Sequence, residues 1–79
     1  MARFSVYDRV RVPQHHPQAE SLLWGQIGTV IRVGPPMRWI NEGESDPFVE
    51  QQYEVGFDGL QEDRVVYENW LEPAPSYEQ

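Results

Sequence analysis

The chain has 79 residues, which is enough for one domain with a modest core and too short for a second. It contains no cysteine, which excludes disulfides, thiolate metal sites and a cysteine nucleophile. Six arginines and no lysine stand against 13 acidic residues, so the net charge is −7.

The N-terminal segment 4–12 alternates apolar and polar side chains with period two, which predicts a half-buried β-strand. The apolar row consists of Phe4, Val6, Val10 and Val12. Asp8 interrupts this row, and a turn or bulge at that position would explain the interruption. Pro13 ends the predicted strand because it has no N–H to donate to a neighbouring strand.

Residues 13–23 are predicted to form a loop, and it contains the adjacent pair His15 and His16. Adjacent side chains in an extended loop point to opposite sides, and no further His or Cys exists to complete a metal site. We therefore expect two solvated histidines and no bound metal.

The segment from Trp24 to Val33 predicts the central strand, because five of its last seven residues are β-branched and no proline interrupts it. Two glycines, Gly25 and Gly28, lie near its start. Glycine is required where the backbone has a positive φ or where a neighbouring backbone approaches too closely for a Cβ atom. The pattern predicts a twisted, largely buried strand around which the others fold.

Residues 34–50 hold three prolines and four acidic residues, which predicts a long loop instead of a strand or helix. Loops longer than about 12–15 residues in a compact domain are usually functional or disordered. Trp39, beside Arg38, is either an exposed interface anchor or a cap on one end of the barrel. The candidate partner-binding residues of this loop are Arg38, Trp39, Ile40, Glu42, Glu44, Asp46 and Phe48.

The C-terminal half predicts three more strands. Residues 51–57 alternate with Tyr53, Val55 and Phe57 facing inward, and a turn at residues 58–59 follows. Residues 64–67 predict the next strand, residues 68–70 a single tight turn, and residues 71–72 a last short strand that Pro73 stops. The tail 76–79 is expected to fray.

These elements predict an all-β fold, a small partly open five-stranded barrel of the SH3-like type over residues 1–75, with a single-turn 3-10 element before the last strand. The expected core consists of Val6, Val10, Val12, Ile27, Val30, Val33, Val55, Phe57, Val65, Trp70 and Leu71. No apolar segment is long enough to span a bilayer, so we expect a soluble, cytoplasmic protein.

The charge is unevenly distributed along the chain. Residues 1–38 carry five arginines and two acidic residues, and residues 39–79 carry one arginine and 11 acidic residues. The acidic half either keeps the protein in solution or forms a surface for a basic partner. It disfavours nucleic-acid binding, because few cations are present to contact phosphates.

Four segments, Tyr7–Val12, Gly25–Val30, Tyr53–Phe57 and Glu68–Pro73, resemble in order the successive strands of the C-terminal domain found in the nitrile hydratase β-subunits. Residues 43–47, Gly-Glu-Ser-Asp-Pro, fall where that family has a similar loop segment. Electron transport accessory proteins, such as the photosystem I E subunit and the ferredoxin-thioredoxin reductase variable chain, are similar in fold. The resemblance implies an accessory barrel that docks onto a larger redox or hydratase assembly.

The chain departs from that family in two places. Tyr7 stands where the family has a glycine before Asp8, and residues 18–23 differ from the segment that precedes the family's central strand. The metal of nitrile hydratases lies in the α-subunit. The resemblance therefore implies no catalytic residue, no metal ligand and no cofactor in this chain.

Three functions follow from these observations. The first is a non-enzymatic interaction module that holds a protein partner through a barrel face and the 34–50 loop. The second is a nucleic-acid-binding barrel, because Gly25–Val33 also fits a KOW-type strand, with Arg3, Arg9, Arg11, Arg32 and Arg38 as contacts. The third is a small subunit of a nitrile hydratase-like enzyme. A stand-alone enzyme is disfavoured, because no motif places a nucleophile beside a base.

Overall fold

The fold is built from short strands and two 3-10 turns. The computed structural model describes residues 2–39, 43 and 48–75, except the side chains of Trp39 and Phe48. The strands are β1 (Arg9–Arg11), β2 (Ile27–Val33), β3 (Met37–Trp39), β4 (Phe48–Glu50), β5 (Gln52–Phe57), β6 (Arg64–Tyr67) and β7 (Glu72–Pro73). The 3-10 turns are Ser21–Leu23 and Glu68–Trp70, and the described residues contain no α-helix.

Five strands form one antiparallel sheet in the order β6-β5-β2-β1-β7. The sheet curls around a single core into a partly open barrel, so the expected all-β barrel architecture is confirmed. The strand β2 lies at its centre, with two strands on each side. The predicted central position of the glycine-containing segment is therefore confirmed.

The core lies on the concave face of the sheet. It consists of Phe4, Val10, Val12, Ala19, Leu23, Val30, Tyr53, Val55, Phe57, Val66 and Leu71. The period-two alternation of β5 places Tyr53, Val55 and Phe57 inward, as predicted, with burial alternating along the whole strand. Trp24, Val33, Leu60 and Trp70 pack around this core and are partly buried.

The two glycines near the start of β2 serve different needs. Gly25 has a φ of +77°, a conformation that residues with a side chain rarely adopt. Gly28 is buried against β5, where a Cβ atom would lie 2.7 Å from the carbonyl oxygen of Gly56 and 2.8 Å from Cα of Phe57. Each glycine thus meets one of the two requirements that the sequence raised. Only the first half of β2 is buried, however, because Ile31 and Arg32 face solvent at a register shift.

The N-terminal segment is a turn followed by a short strand, not one strand from residue 4 to 12. The Asp8 N–H donates to the carbonyl of Ser5 at 3.0 Å, and the Ser5 N–H donates to the Asp8 carboxylate at 2.9 Å. Tyr7, the third residue of this turn, has a φ of +77°. The expected turn at Asp8 is confirmed, and it delays the start of β1 until Arg9.

Two expected core residues face solvent. Val6 is 41% exposed because it lies in the Ser5–Asp8 turn, outside the alternation of β1. Val65 is 58% exposed because it pairs with the outward-facing Glu54, which turns its neighbour Val66 toward the core. Ile27, Val33 and Trp70 were expected in the core and are only partly buried.

The C-terminal elements agree closely with the expected boundaries. The strand 64–67 and the single 3-10 turn 68–70 lie where the sequence predicted them, and the chain turns at residues 58–59. The last strand is Glu72–Pro73, one residue later than expected. None of the described helical segments is long and apolar enough to cross a membrane.

The close approach at Gly28 predicts a large difference between two glycine substitutions. Gly28→Ala should lower the free energy of unfolding by about 1–3 kcal/mol, because the new methyl group meets backbone atoms that cannot move independently. Gly56→Ala is the matched control, since its Cβ would lie 3.0 Å from the flexible end of Ile31. We expect it within about 1 kcal/mol of wild type. Urea denaturation measures both values, and equal losses would contradict the account.

Candidate interaction site

The strands β3 and β4 form a two-stranded sheet outside the five-stranded sheet. We call this hairpin the arm. Its register pairs Met37 with Glu50, Arg38 with Val49 and Trp39 with Phe48. The expectation that residues 34–50 contain no strand is therefore wrong. The prolines at positions 35 and 36 separate β2 from β3, and the chain is again a strand after them.

The arm is fastened to the barrel through its base. The Gly34 N–H donates to the carbonyl of Gln52 at 3.0 Å, which continues the β2–β5 ladder beyond β2. The side-chain amide of Gln51 donates to the Gly34 carbonyl, and that of Gln52 donates to the Pro35 carbonyl at 3.2 Å. These bonds fix the direction in which the arm leaves the barrel.

The structure places some of the predicted partner-binding residues on the arm. Arg38 is exposed in β3, and Trp39 and Phe48 face each other as a backbone pair. Met37 and Val49 are exposed apolar residues of the same hairpin, at 36% and 54%. The remaining candidates, Ile40, Glu42, Glu44 and Asp46, lie outside the described residues. The choice between Trp39 as anchor and Trp39 as cap depends on its side chain, which also lies outside the described part.

Ion pairs join the basic and acidic halves of the chain. Arg9 pairs with Asp58 at 2.6 Å, Arg32 pairs with Glu54 at 3.2 Å, and Arg11 pairs with Glu72. A fourth pair joins Arg64 and Glu20 at 3.4 Å. The charge imbalance along the sequence is thus partly cancelled in space, since three arginines of the first half lie against carboxylates of the second.

The Arg9–Asp58 pair is bidentate, and Arg9 also donates to the Thr29 hydroxyl at 2.8 Å. The hydrogen bonds from Arg9 hold the pKa of Asp58 below its usual value, and the same contact raises the pKa of Arg9. A lowered folded-state pKa stabilises the fold at neutral pH, and this contribution is lost as the pH falls through it. Both groups are well exposed, so the pair orients the side chains more than it stabilises the fold.

The sequence predicted two solvated histidines. In the structure, both histidines also make contacts within the chain. The His15 ring packs on Trp24 with 5.0 Å between ring centroids. His16 Nδ1 accepts the Gln18 N–H at 3.2 Å, which assigns the proton to Nε2 for donation to the Asn69 carbonyl at 2.9 Å. The described residues contain no group of three His, Cys, Asp or Glu side chains placed to hold a metal ion.

The hydroxyl of Tyr53 joins three parts of the chain. It accepts the backbone N–H groups of Arg3 and Phe4 at 3.0 and 3.1 Å and donates to the Glu68 carboxylate at 2.7 Å. Burial raises the pKa of Tyr53, and the bond to Glu68 raises it further. The sequence alternation placed Tyr53 inward but gave no sign of these partners. They come from segments 15 and about 50 residues away along the chain.

An open groove of about 320 Å³ lies between the N-terminal segment and the base of the arm. Its lining includes the side chains of Arg3, Val49, Glu50, Glu68 and Asn69. It is at the low end of the volumes that hold small ligands. Through Val49 and Glu50 the groove is continuous with the base of the arm.

Comparisons of this chain with protein-family models, curated proteins and solved structures return no match.

The hydrogen bonds of the Tyr53 hydroxyl predict that the free energy of unfolding of wild type and of Tyr53→Phe responds differently to alkaline pH. Tyr53→Phe leaves the buried Phe4 N–H without its acceptor, which should lower the free energy of unfolding by about 1–3 kcal/mol. The raised pKa adds a pH dependence. Its stabilising effect is complete below the unfolded-state pKa of 10.0 and is lost as the pH rises through the higher folded value.

Urea denaturation at about pH 8 and about pH 11 checks this prediction. Wild type should lose more stability between the two pH values than Tyr53→Phe does. Tyr67→Phe is the control, because the Tyr67 ring packs on Trp70 and this substitution keeps the ring. An identical pH dependence in wild type and Tyr53→Phe would refute the assignment.

Proposed function

We propose that this chain is a non-enzymatic interaction module that docks onto a larger protein assembly through the arm and an adjacent barrel face. The observation that carries the proposal is the arm, a two-stranded hairpin outside the main sheet with exposed apolar side chains. An isolated two-stranded hairpin is at best marginally stable in water. Packing against a partner would supply the apolar contacts that the five-stranded sheet does not give it.

The groove at the base of the arm supports the same proposal. Val49 lines it together with two carboxylates, Glu50 and Glu68, and with Arg3. An apolar centre with a charged rim is the arrangement found in protein–protein interfaces. The net charge of −7 favours a basic partner surface.

The resemblance to accessory barrels indicates the kind of assembly onto which the chain would dock. The segments that carry it fall on β1, β2, β5 and the 68–73 region, which are the elements that build the sheet. We propose an SH3-like barrel that serves as an accessory subunit of a redox or hydratase-type complex. The cytoplasm is the proposed location.

Nucleic-acid binding is the weaker alternative. Three of the five arginines that would contact phosphates, Arg9, Arg11 and Arg32, already pair with carboxylates. Phosphate contact would require breaking those pairs or bringing a polyanion against their acidic partners. A contribution to a hydratase-like active site is also weaker, because the Tyr53 hydroxyl, which contacts the Glu68 carboxylate, is occupied by the N–H groups of Arg3 and Phe4.

Substitutions on the arm test the proposed function. Met37→Gln with Val49→Thr removes the exposed apolar surface and leaves the core intact. Leu22→Gln is the matched control, since Leu22 is also exposed, at 51%, on a 3-10 turn outside the arm. Each immobilised protein is incubated with native lysate, and the retained proteins are quantified by mass spectrometry.

Wild type and the Leu22 variant should retain the same partner, and the arm variant should retain at least about fivefold less. The free energy of unfolding should be equal in all three proteins. No retained partner in wild type at low and moderate salt, or equal retention by the arm variant, would refute the proposal.

A further inference from the structure

A second surface lies on the outer face of the sheet and is independent of the arm. Three exposed apolar side chains cross this face from the N-terminal turn to β6: Tyr7 at 81%, Ile31 at 42% and Val65 at 58%. We call these three residues the outer patch. The strand β5 lies between β2 and β6, and its outward positions on this face include Glu54 and Gly56.

Gly56 leaves room on this face for the side chain of Ile31. Ile31 lies over Gly56, since a Cβ built on Gly56 would be 3.0 Å from Ile31 Cδ1. Val65 pairs with Glu54, the outward neighbour of Gly56 on the same face. The Tyr7 N–H donates to the Val30 carbonyl at 2.7 Å, which places Tyr7 alongside β2 opposite Val30, the residue before Ile31.

Tyr7 occupies a backbone position that suits glycine. In the turn from Ser5 to Asp8, a positive φ at the third residue and none at the second define a type II turn. A bulky residue with φ near +77° is an outlier. The left-handed backbone conformation is unfavourable for an L-residue, by about the free energy of one weak tertiary contact. Packing does not compensate this cost, because the side chain is 81% exposed.

A strained, exposed aromatic side chain beside an exposed apolar row indicates selection for binding over stability. The charges around the patch specify the partner. Glu54 and Asp58 are ion-paired with Arg32 and Arg9, which leaves the carboxylates of Asp8, next to Tyr7, and of Asp63 outside the described ion pairs. The Asp63 carboxylate lies at the centre, 3.2 Å from where a Cβ on Gly56 would be.

We infer that the outer patch binds a basic protein segment that places an apolar side chain against Tyr7, Ile31 and Val65, with lysine or arginine residues facing the carboxylates of Asp8 and Asp63. This inference rests on the proposed function and specifies its partner class. A second copy of the chain does not fit, because it carries the same net charge of −7. A nucleic acid does not fit, because the patch border is acidic.

The test uses three synthetic peptides and amide chemical-shift mapping. The first peptide is Lys-Leu-Lys-Leu-Lys-Leu-Lys, the second replaces each lysine by glutamate, and the third replaces each leucine by serine. Only the first should shift the amide signals of Ile31, Gly56 and Val65, and its binding should weaken in about 0.5 M salt.

Two substitutions of Tyr7 separate the ring from the backbone. Tyr7→Gly removes the ring and relieves the strain, so it should raise the folding equilibrium constant about fivefold. Tyr7→Ala removes the ring and retains a side chain at positive φ, so it should not give this gain. Both should weaken binding of the first peptide at least about fivefold, and Tyr7→Phe should bind as wild type does.

Four results would overturn the inference. These are equal binding of all three peptides, shifts confined to the arm, shifts that depend on protein concentration without peptide, and weakened binding in Tyr7→Gly alone. A single-stranded oligonucleotide that shifts the same amides would also overturn it. If only the arm substitutions abolish partner binding, this inference is refuted and the proposed function stands. If wild type retains no partner in the lysate experiment, the proposed function is refuted.

Discussion

The contact between Gly28 and the backbone of β5 is the constraint on which the rest of the structure depends. A Cβ atom at this position would meet the carbonyl of Gly56 and Cα of Phe57, so β2 and β5 pack as they do only around a glycine. Their close packing brings Val30 and Val55 together at the centre of the core. The same ladder continues past Gly34 to the base of the arm, so the central pair of strands also sets the direction of the proposed binding element.

The fold also determines which charged side chains lie in ion pairs and which are left to contact a partner. Strand pairing places Arg11 and Arg32 beside carboxylates from the other half of the chain, and the turn after β5 places Asp58 beside Arg9. The arginines that the sequence offered for phosphate binding therefore serve to hold adjacent strands and loops. Among the described residues, the carboxylate of Asp63 beside Gly56 and those of Glu50 and Glu68 at the groove lie outside the ion pairs. This arrangement favours a basic protein partner over a polyanion.

The sequence predicted the elements with strong periodicity. The alternation of β5, the glycines of β2 and the tight turn 68–70 determined the barrel and its central strand, since each pattern suits one local structure. Contacts distant in sequence were not predictable in the same way. The Tyr53 hydroxyl is satisfied by residues far along the chain, and the choice between Val65 and Val66 depends on pairing with β5. The sequence did not predict the arm, because prolines 35 and 36 indicated a loop and the strand that follows them is short. Tyr7 was visible only as an unusual residue before Asp8, and its positive φ emerges from the turn geometry.

Native-state hydrogen exchange tests most directly whether the stability of the barrel is concentrated in β2 and β5, with the arm held only at its base. The amides of Val30 and Asp58, which bond to Asp8 and Ile27, should exchange only through global unfolding. The amides of Arg38 and Val49 should exchange by local opening, at least about 100-fold faster, in the free protein. Protection of the arm equal to that of β2, or fast exchange at Val30, would contradict this distribution of stability.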